Sequence, residues 1–193
     1  VAIPFERLGW LFVRYGKRVY PDWADPLLFD WLQTLPRGAL LLDLGGGTGV
    51  LAAEARRERP DLRLVVVDPA VGMLKHAGEG VDTVVARAEE LPFADAGVDA
   101  VMLGEALHHF QDPKQALAEA ARVLKPGGRL WIYDFDPRRG LGRWVFWGER
   151  LLGEPANFYA PLELQDVLSS LGFSVAFHER GGRYVLQATL LLG

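Results

Sequence analysis

The chain has 193 residues, 50% of them hydrophobic and 24% charged, which is material for one folded domain and excludes disorder as a description of the whole. It contains no cysteine, so disulfides, thiolate-held zinc, iron–sulfur clusters and a cysteine nucleophile are excluded. A net charge of −4 argues against a nucleic-acid partner, and no apolar run is long enough to cross a bilayer, so no integral membrane association is expected. The opening VAIPFERLGW lacks the basic-then-apolar layout of a secretory leader, and with the missing cysteines this points to a cytoplasmic location.

Residues 1–36 are aromatic-rich and helical in pattern, with Phe5, Leu8, Phe12 and Tyr15 at three-to-four spacing and Leu27, Phe29, Trp31 and Leu32 following loosely. Asp25-Pro26 reads as a helix start with proline at the first position. Aromatics interleave with Arg14, Lys17 and Arg18, so this segment is expected to fold over the site and close it against water. The pattern then changes. Ala39–Leu44 is a short apolar run ending in glycines, the signature of a buried strand. A helix is predicted over 49–59, a strand over 62–67, a short helix over 71–77 and strands over 81–85 and 98–103. An amphipathic helix over 113–124 ends at Lys125-Pro126-Gly127-Gly128, and a fifth strand runs over 129–135. A helix over 162–171 precedes two strands, 174–178 and 184–191, joined by the polar link Glu179–Arg183. Strands alternating with helices imply an α/β, Rossmann-like, doubly wound sheet, here ending in an antiparallel pair.

The strongest motif is LLDLGGGTG, residues 41–49, with Gly45, Gly46, Gly47 and Gly49 between a strand and a helix. Such a turn lets a ligand touch the backbone. Two cofactors compete for it. Residues 47–52 fit G-x-G-x-x-A, the dinucleotide pattern, and residues 43–49 fit D-x-G-x-G-x-G, the pattern of S-adenosylmethionine sites. Charge favours the second, because Asp43 would repel a pyrophosphate and attract an ammonium and a sulfonium. An NAD-dependent oxidoreductase is the lesser alternative. Asp68 ends the second strand, where an acid reaches ribose hydroxyls in either case, or caps the helix that follows.

Taken together these residues resemble the class I S-adenosylmethionine-dependent methyltransferases, in particular the type 11 small-molecule group, over about residues 39–135. LLDLGGGTG resembles the first motif, VVVDPAVGMLKHA the second, ARAEELPF the third, and VDAVMLGEALHHF and RVLKPGGRLWIYDF the later strands and turns. The resemblance implies S-adenosyl-L-methionine as cofactor and a seven-strand sheet of order 3-2-1-4-5-7-6 with the last strand antiparallel. It implies Asp43 and the glycines around the methionine part, with Gly104 at the rim. It also implies Asp68 on the ribose, and Pro69 and Met73 on the adenine. One position departs: Arg87 stands where the family carries an acid that accepts from the adenine amino group. A guanidinium only donates, which leaves adenine to the backbone near Ala88 or to Glu89.

The amino-methylating signature after the fourth strand is absent, since Gly104-Glu105-Ala106-Leu107 stands there. The acceptor is therefore expected to be a small molecule, apolar or aromatic, with Glu105, His108 and His109 as candidate bases. Asp134 and Asp136 are further rim acids or helix caps. No metal is expected, because adjacent histidines diverge on a helix and no third ligand is visible. Residues 138–152 mix four arginines with Trp144, Phe146 and Trp147, and allow a lid, an apolar substrate wall shared with Phe158 and Tyr159, or a membrane-surface contact. A second function class also fits: a catalytically silent S-adenosylmethionine-binding sensor or partner subunit. One domain over 1–193 is expected, with an N-terminal helical cover (1–36), a cofactor-binding core (37–136), a lid-like insertion (137–160) and a terminal helix and β-hairpin (161–193).

Overall fold

The computed structural model describes residues 23–152 and 156–192. Its elements are α1 (Ala24–Gln33), β1 (Leu40–Leu44), α2 (Val50–Glu58), β2 (Arg63–Val67), α3 (Val71–Leu74), β3 (Asp82–Val84), β4 (Val98–Gly104), α4 (Pro113–Val123), β5 (Leu124–Phe135), α5 (Gly140–Leu152), α6 (Pro161–Ser170), β6 (Phe173–Arg180) and β7 (Arg183–Leu190). The strands form one sheet of order β3-β2-β1-β4-β5-β7-β6. Strands β1 to β5 pair in parallel, and β7 lies antiparallel to both β5 and β6.

The apolar runs become central strands because successive side chains go to opposite faces, and both faces are covered. Leu42, Leu44, Val65, Val67, Val101 and Leu103 point to one face, where Leu117, Leu164 and Leu168 of α4 and α6 meet them. Leu41, Leu64, Val66, Ala100 and Met102 point to the other, under Leu28, Trp31 and Leu32 of α1 and Leu51 and Ala55 of α2. The described part of the N-terminal segment thus buries its apolar stripe on a sheet face. Residues 1–22, which carry Trp10, Phe12, Tyr15, Tyr20, Arg14, Lys17 and Arg18, lie outside the described residues.

Three local expectations change. Helix α1 begins at Ala24, so Pro26 is the third helical residue rather than the first; its missing N–H costs nothing, since first-turn amides lack intrahelical partners. The link between the last two strands shrinks from five residues to Gly181-Gly182, both at positive φ (+66° and +82°), because a two-residue turn of that hand matches the strand twist. Residues 125–128 do not separate helix from strand: β5 already pairs at Leu124, and its register with β4 shifts before Arg129.

Candidate active site

The carboxyl ends of β1, β2, β4 and β5 lie along one edge of the sheet. The strand order reverses direction between β1 and β4, the position at which open α/β sheets hold ligands. Residues 45–49 bridge β1 to α2 there. Gly45, Gly47 and Gly49 sit at φ of +67°, +52° and +71°, where a side chain is strained. Gly46 is required for a different reason: a Cβ there would lie 2.5 Å from Asp43 Cγ. The loop backbone therefore lies directly over the Asp43 carboxyl.

Asp43 is 1% exposed. Its Oδ2 accepts from the Ala52 amide at 3.2 Å, and its Oδ1 is buried with no hydrogen-bond partner. Burial pushes its pKa up to about 7, opposed by the Ala52 amide and reinforced by Asp68. A buried carboxyl with one unused oxygen against a glycine backbone fits a cationic ligand. Asp68 faces the same loop, with Oδ2 accepting from Gly47 N at 2.9 Å and Oδ1 from Ala70 N at 2.8 Å. Met73 is buried, and its Cε lies 3.0 Å from where a Gly47 Cβ would stand. Pro69 is exposed and Ala88 buried. Glu89 Oε1 accepts from Gln111 N, Asp112 N and Arg87 Nη2 at 2.9, 3.2 and 3.1 Å, so this oxygen ties two loops together. Gly104 ends β4 and leads into Glu105, a non-glycine residue at φ +51°.

The three candidate bases converge beyond Gly104. A single 3-10 turn, Leu107–His109, brings the two imidazoles to a centroid distance of 4.1 Å. His108 is 1% exposed and donates from Nδ1 to Asp134 Oδ1 at 2.6 Å. Its Nε2 faces Glu149 Oε1 of α5 at 3.4 Å, and Phe158 stacks on its ring at 4.1 Å and 10°. Burial works against the imidazolium, but Asp134 and Glu149 outweigh it and push the pKa up to about 10. Beside it, burial and then the His108 charge push His109 down to about 4. Burial, followed by Asp134, pushes Glu105 up to about 8. At neutral pH the set is a charged His108 held between two carboxylates, with a neutral His109 and a protonated Glu105.

Sequence reasoning missed Glu149. Its signal was present: on α5 it stands roughly opposite the apolar stripe of Trp144 and Leu151 at 3.6 residues per turn. Glu149 is also the third group that the sequence did not reveal beside the histidine pair, since His108, His109 and Glu149 offer atoms within 4.8 Å of one another. Asp136 closes the turn that leads into α5 without capping the helix: its Oδ1 accepts from Arg138 N at 2.9 Å, and α5 starts at Gly140. Asn157 fastens the loop carrying Phe158, donating from N to His108 O at 2.9 Å and from Nδ2 to Phe110 O at 2.8 Å. The aromatic wall expected near 144–159 forms in part, from Phe146, Phe158 and Phe135, while Trp144 and Trp147 face outward.

The family model described as a methyltransferase domain matches residues 42–132. Uncharacterized methyltransferase Rv3342 of Mycobacterium tuberculosis is 44% identical over 143 residues, covering 72% of this chain and 53% of that protein. The demethylmenaquinone methyltransferase of Thermobifida fusca is 38% identical over 124 residues, covering 59% and 52%. The chain spans about half the length of the curated relatives it matches. Among solved structures, a SAM-dependent methyltransferase of Thermotoga maritima superposes with a TM-score of 0.75 at 23% identity, covering 96% of this chain and 97% of that one. The [4+2]-cyclase SpnF superposes with a TM-score of 0.74 at 19% identity, covering 100% and 98%. The same architecture thus also carries a [4+2]-cyclase, so the fold alone does not fix the reaction.

Proposed function

We propose that this chain, which belongs to the class I S-adenosylmethionine-dependent methyltransferases, transfers a methyl group in line to a small apolar or aromatic acceptor. The observation that carries the reading is the buried Asp43 carboxyl, with its unused Oδ1 under the Gly46 backbone. S-adenosylmethionine supplies a methyl group already activated on sulfur, so the protein's task is alignment and exclusion of water. Asp43 and the backbone of residues 45–49 hold the methionine end. Asp68, at the end of β2, is assigned to the ribose hydroxyls, and Met73 with the backbone at Ala88 borders the adenine.

The acceptor side is the wall of Phe135, Phe146 and Phe158 around His108. Glu105, in the ionised form it gains as pH approaches about 8, is the residue assigned to take the acceptor's proton, since a base works best with a pKa near the working pH. His108 acts as a positioning residue: held by Asp134 and Glu149 through its two ring nitrogens, it fixes the Phe158 ring that stacks on it and the helix that carries Phe146. No resident metal enters this reading, because both ring nitrogens of His108 already face carboxylates. The likeness to quinone-type methyltransferases such as that of Thermobifida fusca supports a planar, hydrophobic acceptor.

Calorimetric titration with S-adenosylhomocysteine tests the cofactor, and no heat at millimolar ligand overturns it. Methyl transfer to a panel of phenols, quinones and amines tests the reaction; binding without turnover on any of them identifies a silent binder instead.

A further inference from the structure

Helix α5 has two faces with different partners. At roughly 100° per residue, Gly142, Phe146 and Glu149 share the inner face, while Leu141, Trp144, Trp147 and Leu151 fall within an arc of about 120° on the outer one. The inner face is engaged. Gly142 is buried so closely that a Cβ would lie 2.1 Å from Asp136 O, Phe146 meets Phe158 edge-on at 5.9 Å, and Glu149 meets His108. Among the described residues the outer face is largely uncovered: Leu141 is 45% exposed, Trp147 59%, Trp144 71% and Leu151 89%. About three successive turns presenting two tryptophans and two leucines to water are costly unless something covers them.

Charge indicates what covers them. Arg143 and Arg150 stand exposed at one edge of the apolar arc, and the only acid on α5, Glu149, is turned inward. Arg138 and Arg139 precede the helix, and their charges are paired with Glu163 and Glu179. A flat apolar strip rich in tryptophan and bordered by arginine is the composition of a helix that lies in the interface of an anionic bilayer. A second copy of the chain would set the Arg143 and Arg150 pairs of two helices near one another, whereas anionic headgroups neutralise them.

We propose that the outer face of α5 docks the protein peripherally on an anionic lipid surface, with Trp144, Trp147 and Leu151 inserted and Arg143 and Arg150 on the headgroups. The purpose of the docking rests on the reading of the acceptor as apolar: the inner face of the same helix borders the acceptor wall, so a lipid-dissolved acceptor would be met where it resides. The docking itself stands on the helix alone.

The test is co-sedimentation of the full chain with vesicles of phosphatidylglycerol and phosphatidylcholine, against pure phosphatidylcholine. Wild type should bind the anionic vesicles and release in high salt. The Trp144→Ser/Trp147→Ser variant should lose about tenfold or more in partitioning. Arg143→Gln/Arg150→Gln, which leaves the apolar strip intact, should lose about fivefold for each arginine. Absence of wild-type binding, or equal binding by the variants, overturns the proposal. So does a concentration-dependent dimer, seen by sedimentation, that Trp144→Ser/Trp147→Ser abolishes; the strip would then join two copies. Titration of each variant with S-adenosylhomocysteine runs in parallel. Wild-type heats with lost vesicle binding place the defect on the membrane face, whereas vesicle binding by a chain that never binds the nucleoside refutes the methyltransferase reading and leaves the docking standing.

Discussion

Replacing Asp43 by Asn should make the ligand-free protein more stable and its grip on the donor weaker, and the gain should depend on pH in a defined direction. Burial raises the Asp43 pKa from 3.8 to about 7. At about 1.4 kcal/mol per pKa unit, the ionised carboxyl costs the fold on the order of 4 kcal/mol above neutral pH. Asn keeps an oxygen for Ala52 N but buries two new N–H donors, which returns roughly 1–2 kcal/mol of that. A net gain of about 2 kcal/mol at pH 8 is expected from these two terms. A raised acid contributes stability that is fully present below its unfolded pKa and lost as pH rises through the folded one. By the same terms wild type should be about 1–2 kcal/mol more stable than the variant near pH 4, cross it as pH rises, and fall about 2 kcal/mol below it at pH 8. Urea unfolding at several pH values measures this, with the slope of the transition checked for constancy. In calorimetry the variant should lose about 1–3 kcal/mol of S-adenosylhomocysteine affinity, the value of a charge-assisted hydrogen bond. A variant that is less stable than wild type at pH 8, or that binds the nucleoside equally well, refutes the placement of a buried, underused carboxyl under the glycine loop.

Gly46→Ala should cost about 1–3 kcal/mol by overpacking against Asp43 and should also weaken nucleoside binding, whereas Gly38→Ala, at φ +71° with nothing within 4 Å, should lose only about 1 kcal/mol of stability and no affinity; equal effects in denaturation and calorimetry would show that backbone strain, not contact, governs the loop. Asp134→Asn strips the buried imidazolium of a partner and should cost about 3 kcal/mol near neutral pH. His108 is a raised base, so its contribution is present below pH 6.5 and fades as pH climbs through about 10; the penalty measured by denaturation should fade over the same window. Glu105→Gln should remove the rise of turnover rate that wild type shows as pH climbs through about 8, leaving nucleoside affinity within about twofold; a pH–rate profile unchanged by the variant would exclude Glu105 as the base.

The strands and the glycine loop were legible because each rests on local pattern, whereas the order of the strands in the sheet came from the family resemblance. Leu41 to Leu44, Leu64 to Val67 and Val98 to Leu103 are short apolar runs that only a strand covered on both faces explains. Asp43 stands out as an acid inside such a run, one residue before its end, and Asp68 as the acid that directly follows one. The acceptor side was only half legible. His108, Asp134 and Phe158 could each be named, but their meeting depends on contacts 26 and 50 residues apart in sequence, which no local pattern encodes. Glu149 reaches His108 from a helix whose start, at Gly140 and Gly142, lies backbone to backbone against Asp136 and the Gly181-Gly182 turn. The shortened Gly181-Gly182 turn and the irregular start of β5 were hidden for a related reason: strand pairing extended past the point where residue preference alone would have stopped.

The insertion of β7 between β5 and β6 has a consequence for how the chain reaches its final shape. β6 is synthesised before β7 yet has no other neighbour in the sheet. It must wait for a strand that does not yet exist, and meanwhile β5 presents the side that Arg183–Leu190 will occupy as an open ladder from Arg129 to Phe135. Tyr184, Val185 and Leu186, all fully buried in the finished sheet, close that ladder last. During synthesis the nascent protein therefore carries an unpaired, strongly apolar strand edge of the kind that recruits foreign strands. The window of greatest vulnerability to aggregation is the interval between the emergence of β5 and the arrival of β7, so destabilising substitutions in the hairpin should lower soluble yield more than their effect on the equilibrium stability of the finished protein would suggest.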